Sequence, residues 1–169
     1  MIPTERIERL LDPAYSVGLA DASDEVLRAK KVECAEAENA VSFLRRLAQA
    51  RLEILGAERE RRANGGTVGD LVRDLPRILG GDAGRSAAAN TRVASTAAPA
   101  LELHWPDGRE SLVDDATLAN LPVLTDAGLD EAYARLGEFE RELSTMRRGL
   151  HGVIDGIEAQ LLARQVPGA

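Results

Sequence analysis

Adding 102 to the positions of Val41, Leu44, Ala48, Leu52 and Leu55 gives Leu143, Met146, Leu150, Ile154 and Ile157. Both sets advance in steps of three and four, which keeps side chains on one helix face and matches a coiled-coil seam. The same offset carries a second set: Glu38, Ser42, Arg45, Gln49 and Glu53 become Glu140, Ser144, Arg147, His151 and Asp155. At about 100° per residue each polar five falls within an arc of roughly 80°, centred about 100° from its seam. One helix can therefore bury one stripe and present the other. Two helices with this pattern pack seam to seam, antiparallel or close to it. Near two-fold symmetry then places two matching sets of polar groups around a shared groove.

Composition agrees with helices packed on helices. Hydrophobic residues make up 44% of the 169 but aromatics only 3%, so the core is built from Leu, Ala, Val and Ile. This length fits one domain, 1–169. A net charge of -7 argues against general binding to nucleic-acid backbones and hence against direct DNA binding. It leaves room for a small anionic ligand held by a few arginines. Cys34 is the only cysteine, so one chain forms neither a disulfide nor a thiolate metal cluster, and no metal site is expected. Cys34 reads as a small core or boundary residue. The N-terminus lacks a basic segment followed by an apolar run, and no stretch approaches about 18 apolar residues. A cytoplasmic protein with no membrane association is the expectation.

In order along the chain, residues 1–22 read as a short helix, with Ile7, Leu10 and Leu11 on its apolar face, and a loop after Pro13. The first motif helix spans 23–64, with Ser23 as cap and Asn64-Gly65-Gly66 as terminator. Its last turns, Glu58-Arg-Glu-Arg-Arg62, are charged on every side and read as solvated. A short amphipathic helix is expected over 65–79. The segment 80–124 reads as a flexible linker followed by a docked loop, because Gly80 to Pro99 holds few large apolar residues. Within it, Leu101 to Trp105 is a short extended piece. The second motif helix spans 125–166, opening at Thr125-Asp126. The fold class is all-α: an antiparallel two-helix coiled-coil hairpin with short accessory helices and a long flexible connection.

The polar set suits recognition. Arg makes bidentate contacts with phosphate or with guanine O6 and N7, and a carboxylate accepts from guanine's amide and amino donors. A doubled set points to a ligand with its own two-fold character, which a cyclic dinucleotide has. The spacing Glu-x3-Ser-x2-Arg-x3-Gln-x3-Asp resembles the signature of the RsiG family, actinobacterial anti-sigma factors that respond to cyclic-di-GMP. The resemblance implies that Glu38, Ser42, Arg45, Gln49 and Glu53, with Glu140, Ser144, Arg147, His151 and Asp155, bind cyclic-di-GMP, as a pair of molecules. Arg46 and Arg148 stand beside them as auxiliary candidates. The resemblance also implies an antiparallel coiled coil and nucleotide-dependent sequestration of a WhiG-type sigma factor, repressing transcription for sporulation and aerial mycelium formation. Family members with one motif form homodimers; two motifs, as here, allow a monomer. Two positions depart. Glu53 stands where the pattern has Asp, keeping the charge on a longer arm, and His151 stands where it has Gln, adding a titratable group.

One such stripe alone would be an ordinary solvated face with helical ion pairs. Two in register with two seams are not. His104 and Trp105 read as packing residues rather than ligands. No Ser/His/Asp or Cys/His arrangement is marked, and no prosthetic group is implied, so an enzyme is not expected. The alternative is a nucleotide-independent coiled-coil adaptor or structural protein that binds another protein through its polar stripe.

Overall fold

The structure is a computed structural model that describes residues 2–67, 73, 76, 103–104, 108, 112–113 and 118–165. The fold is all-α, a hairpin of two long helices packed on one another. Helix α1 spans Thr4–Leu11, α2 Asp24–Ala63 and α3 Asp126–Gln165. Two-residue strands β1, Ile2–Pro3, and β2, Leu103–His104, pair in parallel. Of the short helix expected over 65–79, only Gly65 to Thr67, Arg73 and Pro76 fall within the described residues. Residues 80–102 of the expected linker, and Trp105, lie outside them.

The helix ends follow from local chemistry. Ser23 Oγ accepts from Val26 N (3.3 Å), and Thr125 Oγ1 accepts from Gly128 N (3.1 Å), so each long helix opens on a hydroxyl cap. α2 closes on Gly65, with φ +66°. Gly66 N donates to Arg61 O (2.9 Å) and Gly65 N to Arg62 O (3.1 Å), which satisfies two carbonyls otherwise left over at the helix end.

Burial along the long helices has a period of seven. In α2 the fully buried positions include Leu27, Cys34, Val41, Ala48 and Leu55; in α3 Leu129, Leu136, Leu143, Leu150 and Ile157 are at most 2% exposed. These are heptad a positions, and each pair is separated by the same 102 residues. The repeat therefore reaches back to Leu27 and Leu129, beyond the motifs. Each fully buried aliphatic side chain contributes about 1.5–3 kcal/mol.

The chain forms two compact units, one comprising Met1–Phe43, Pro99–Gly108 and Glu142–Ala169, the other Leu44–Ala98 and Arg109–Arg141. In the first, α2 and α3 run antiparallel: Asp24 pairs with Arg164 (2.9 Å), Lys31 with Glu158 (3.0 Å) and Glu38 with Arg147 (3.1 Å). Helix α1 docks on this unit through Ile7 and Leu10, both fully buried. Arg6 and Arg9 of α1 pair with Glu33 of α2, and Arg6 also with Glu36. Gly149 makes room for the end of α1, since a Cβ there would stand 2.6 Å from Leu11 Cδ2. The loop after Pro13 lies on α2: Tyr15 Oη donates to Glu33 Oε2 (2.9 Å), and Lys30 Nζ sits 3.6 Å from the Tyr15 ring centre. Cys34 is fully buried beside this contact, and burial pushes its thiol above the ordinary range.

In the second unit the antiparallel pairing continues with Arg59 on Asp130 (2.6 Å) and Arg62 on Asp126 (2.9 Å). Here the structure corrects part of the reading of Glu58 to Arg62 as solvated, since Arg59 and Glu60 are exposed but Glu58 is not. Glu58 is 2% exposed and pairs with Arg61 and Arg62, each at 2.6 Å. Arg62 also donates to Leu121 O and Leu124 O, tying α2 to the segment that leads into α3. The cause is register: 58 continues the inward-facing series 37, 44, 51 at steps of seven, so a carboxylate there points inward and needs cations. The Arg61 guanidinium, helped by Arg62 and opposed by burial, holds the Glu58 carboxyl down from the usual value near 4.5 to about 2.

A carboxyl held low adds stability above its unfolded value and loses it as pH falls towards the folded value. We expect Glu58→Gln to lower stability by about 1–3 kcal/mol at neutral pH. The gap between variant and wild type should close as pH falls from about 4.5 to about 2, read by circular-dichroism melts. A gap of constant size would show that the Glu58 charge does not carry the effect.

Candidate functional site

The polar stripes occupy the e and b positions of the heptads, directly flanking the buried a positions, with Glu53 and Asp155 at f. Their side chains are therefore rooted at the rim of the seam. The structure brings most of them together in two sets, one in each unit.

In the first unit, Glu38 Oε1 is the centre. Ser42 Oγ donates to it at 2.6 Å and Arg147 Nε at 3.1 Å. The same Arg147 Nε lies 3.1 Å from Ser42 Oγ, so serine links carboxylate and guanidinium. His151 Nε2 also stands 3.1 Å from Glu38 Oε1, at a distance suited to an ion pair when protonated but out of line for a hydrogen bond. Ser42 is buried, and the Glu38, Arg147 and His151 side chains are 15%, 27% and 27% exposed.

In the second unit, Glu140 Oε1 takes the corresponding place. Gln49 Nε2 donates to it at 3.0 Å, and Arg45 Nη1 lies 3.5 Å away. Arg45 Nε is buried without a hydrogen-bond partner. The side chains of Arg45 and Glu140 are 22% and 17% exposed, close to their counterparts. Each set joins the Glu of one motif to the Arg and the Gln or His of the other. His151 thus does in the first unit what Gln49 does in the second, contacting the carboxylate from four residues beyond the arginine.

The remaining stripe residues differ in exposure. Ser144 and Glu53 are half-buried and Asp155 is exposed. Arg46 and Arg148 are both exposed, and Arg148 Nη2 donates to Thr145 Oγ1 at 3.1 Å. Among the described residues no cluster of three or more His, Cys, Asp or Glu is placed to hold a metal ion. No described helix is long and apolar enough to cross a membrane.

This arrangement can do two things chemically. It is self-complementary, because Glu meets Arg in both sets when the helices are antiparallel. It also holds carboxylate and guanidinium half-buried, where charges are screened less than on open surface. Sequence reasoning placed both stripes but passed over this pairing of the motifs with one another. The signal was present in the order Glu before Arg, which an antiparallel partner carrying the same order meets as Arg before Glu.

A family model described as RsiG-like matches residues 13–79 and 115–169, most of the chain and both motif helices. Neither the search of the curated proteins nor that of the solved structures found a match.

The pairing predicts a thermodynamic cycle. Glu38→Arg alone sets like charges together and should cost about 1 kcal/mol or more, while Glu38→Arg with Arg147→Glu should recover most of the loss. Melting curves of the two single variants and the double variant measure the coupling. Additive effects would remove the pair as a source of stability.

Proposed function

Because this chain belongs to the RsiG-like family, whose members act as anti-sigma factors rather than enzymes, we propose that it is a cyclic-di-GMP-responsive anti-sigma factor. Loaded with nucleotide, it sequesters a WhiG-type sigma factor and keeps it from RNA polymerase, repressing transcription for sporulation and aerial mycelium formation. It acts in the cytoplasm as a monomer with two nucleotide molecules on its two motif helices. The observation that carries this reading is the doubled set, Glu38 with Arg147 and His151, and Glu140 with Arg45 and Gln49.

The donor and acceptor inventory supports a guanine nucleotide. Opening a Glu–Arg pair for a simple anion would leave a half-buried carboxylate without its cation. Guanine avoids this, because N1–H and the 2-amino group offer donors to Glu38 or Glu140 while O6 and N7 accept from an arginine. Phosphate offers Arg45 and Arg147 a further charged acceptor. The buried, unsatisfied Nε of Arg45 is one donor such an acceptor would meet. Ser42, Ser144, Gln49 and His151 supply shorter polar contacts, and Glu53 and Asp155 accept at the ends of the stripes. Cyclic-di-GMP is a regulatory ligand here, and no prosthetic group is involved.

A second reading rests on the same ion pairs. In antiparallel coiled coils e-position pairs set helix orientation, so the stripes could serve architecture alone in a nucleotide-independent adaptor. Calorimetry with cyclic-di-GMP at fixed salt separates the two. We expect binding at micromolar nucleotide by the wild type, and loss of binding in Arg45→Ala and Arg147→Ala with far-UV helicity unchanged. A wild type that takes up no nucleotide would sink the proposal in favour of the adaptor. Pull-down of a sigma factor only when cyclic-di-GMP is present would extend the result to the switch.

A further inference from the structure

Each polar set joins a Glu, an Arg and a third side chain, and only the third differs: Gln49 beside Glu140, His151 beside Glu38. Gln carries no charge at any pH, whereas a histidine gains one between about pH 8 and pH 5. Gln49 Nε2 makes its hydrogen bond at 3.0 Å. His151 Nε2 stands 3.1 Å from Glu38 Oε1, yet it is buried without a hydrogen-bond partner. The imidazole thus holds its place beside the carboxylate by position alone.

Counting charge shows what a proton there changes. Glu38 and Arg147 cancel, as Glu140 and Arg45 do. A phosphodiester ligand arrives negatively charged, and neither set has a net charge to offset it. Protonated His151 leaves the Glu38 set positive, and Gln49 cannot do this for Glu140. An imidazolium also donates from both ring nitrogens. It suits a phosphate oxygen or guanine O6 or N7, and leaves Glu38 to the donors of guanine.

The neighbouring groups preserve that sign. On α3, Arg147 lies one turn before His151 and Asp155 one turn after, and Asp155 is exposed, as is Arg148 of opposite charge. On α2, Ser42 adds no charge and Lys31 pairs with Glu158 at 3.0 Å. Helix α1 reaches α3 at Gly149, two residues and about 200° around the helix from His151. Its Arg6 and Arg9 are paired with Glu33 and Glu36, and its Glu5 and Glu8 are exposed. Exposed charges are screened more strongly than the half-buried pair of Glu38 and His151.

We propose that His151 makes nucleotide uptake proton-linked: the Glu38 set binds cyclic-di-GMP more tightly when His151 is protonated, while the Glu140 set binds without regard to pH. This rests on the nucleotide reading above and adds its regulation. Linkage is reciprocal, so binding in turn draws a proton onto His151.

The chain has two histidines, His104 and His151, so a control is at hand. Ordinary carboxylates stay ionised between about pH 5.5 and pH 8. Calorimetry of the full chain with cyclic-di-GMP at those two pH values, each in two buffers of different ionisation enthalpy, reads affinity and proton uptake together. Wild type should bind at least about threefold more tightly at the lower pH and take up protons on binding. His151→Gln should bind equally at both and take up none, and His104→Gln should keep the wild-type pH dependence. His151→Gln with Gln49→His carries the imidazole to Glu140 and should restore the dependence; a flat response there would overturn its link to the Glu–Arg pair. Equal wild-type affinity at both pH values, tighter binding at the higher one, or a dependence that survives His151→Gln would overturn the proposal and leave the nucleotide reading standing. Absence of wild-type binding at either pH would overturn both.

Discussion

Burial every seven residues governs everything else in this molecule. Leu27, Cys34, Val41, Ala48 and Leu55 in α2, and Leu129, Leu136, Leu143, Leu150 and Ile157 in α3, fix which side of each helix turns inward. Once those positions are inward, Glu38, Arg45, Glu140 and Arg147 have no freedom of placement. They sit at the rim, neither immersed nor fully wet. The same register drives Glu58 inward, where two arginines must accompany it. Polar chemistry here is a consequence of apolar periodicity.

The rim pairs then take on two roles at once. As structure, Glu38–Arg147 and Arg45–Glu140 favour antiparallel helices, because shifting or reversing one helix sets like charges together. As chemistry, they hold a hydrogen-bond acceptor and a donor fork side by side, which is the complement of a guanine edge. A ligand that replaces both halves of such a pair leaves neither charge stranded, whereas one that replaces a single half does. Under the proposed nucleotide-binding function, selectivity for a base over a bare anion would grow from the same contacts that orient the hairpin.

The hairpin and its stripes were legible because the 102-residue offset preserves both angle and residue type. A single helix would not have revealed them, since Glu, Ser, Arg and Gln at such spacings are common on solvated faces. Two matters were hidden. The inward turn of Glu58 could not be read from local charge density, because Glu58-Arg-Glu-Arg-Arg62 looks polar on every side unless the seam is followed seven residues at a time. The pairing of each motif's Glu with the other's Arg needed the antiparallel register, which depends on where the connection lets the helices meet. The loop after Pro13 was legible only as apolar. That Tyr15 lies over Lys30 and donates to Glu33 is a tertiary fact without a local signature.

The repeat is not perfect, and its exceptions lie close to the shared positions. Where α3 has Gly149, α2 has Leu47; the glycine leaves space for Leu11, and a leucine in its place would not. Where α3 has His151, α2 has Gln49. In an assembly of two identical chains every replacement strikes both halves together, so neither can diverge alone. With both motif helices in one chain that coupling is absent. One half can then carry a docked terminal helix and a His–Glu contact that the other lacks.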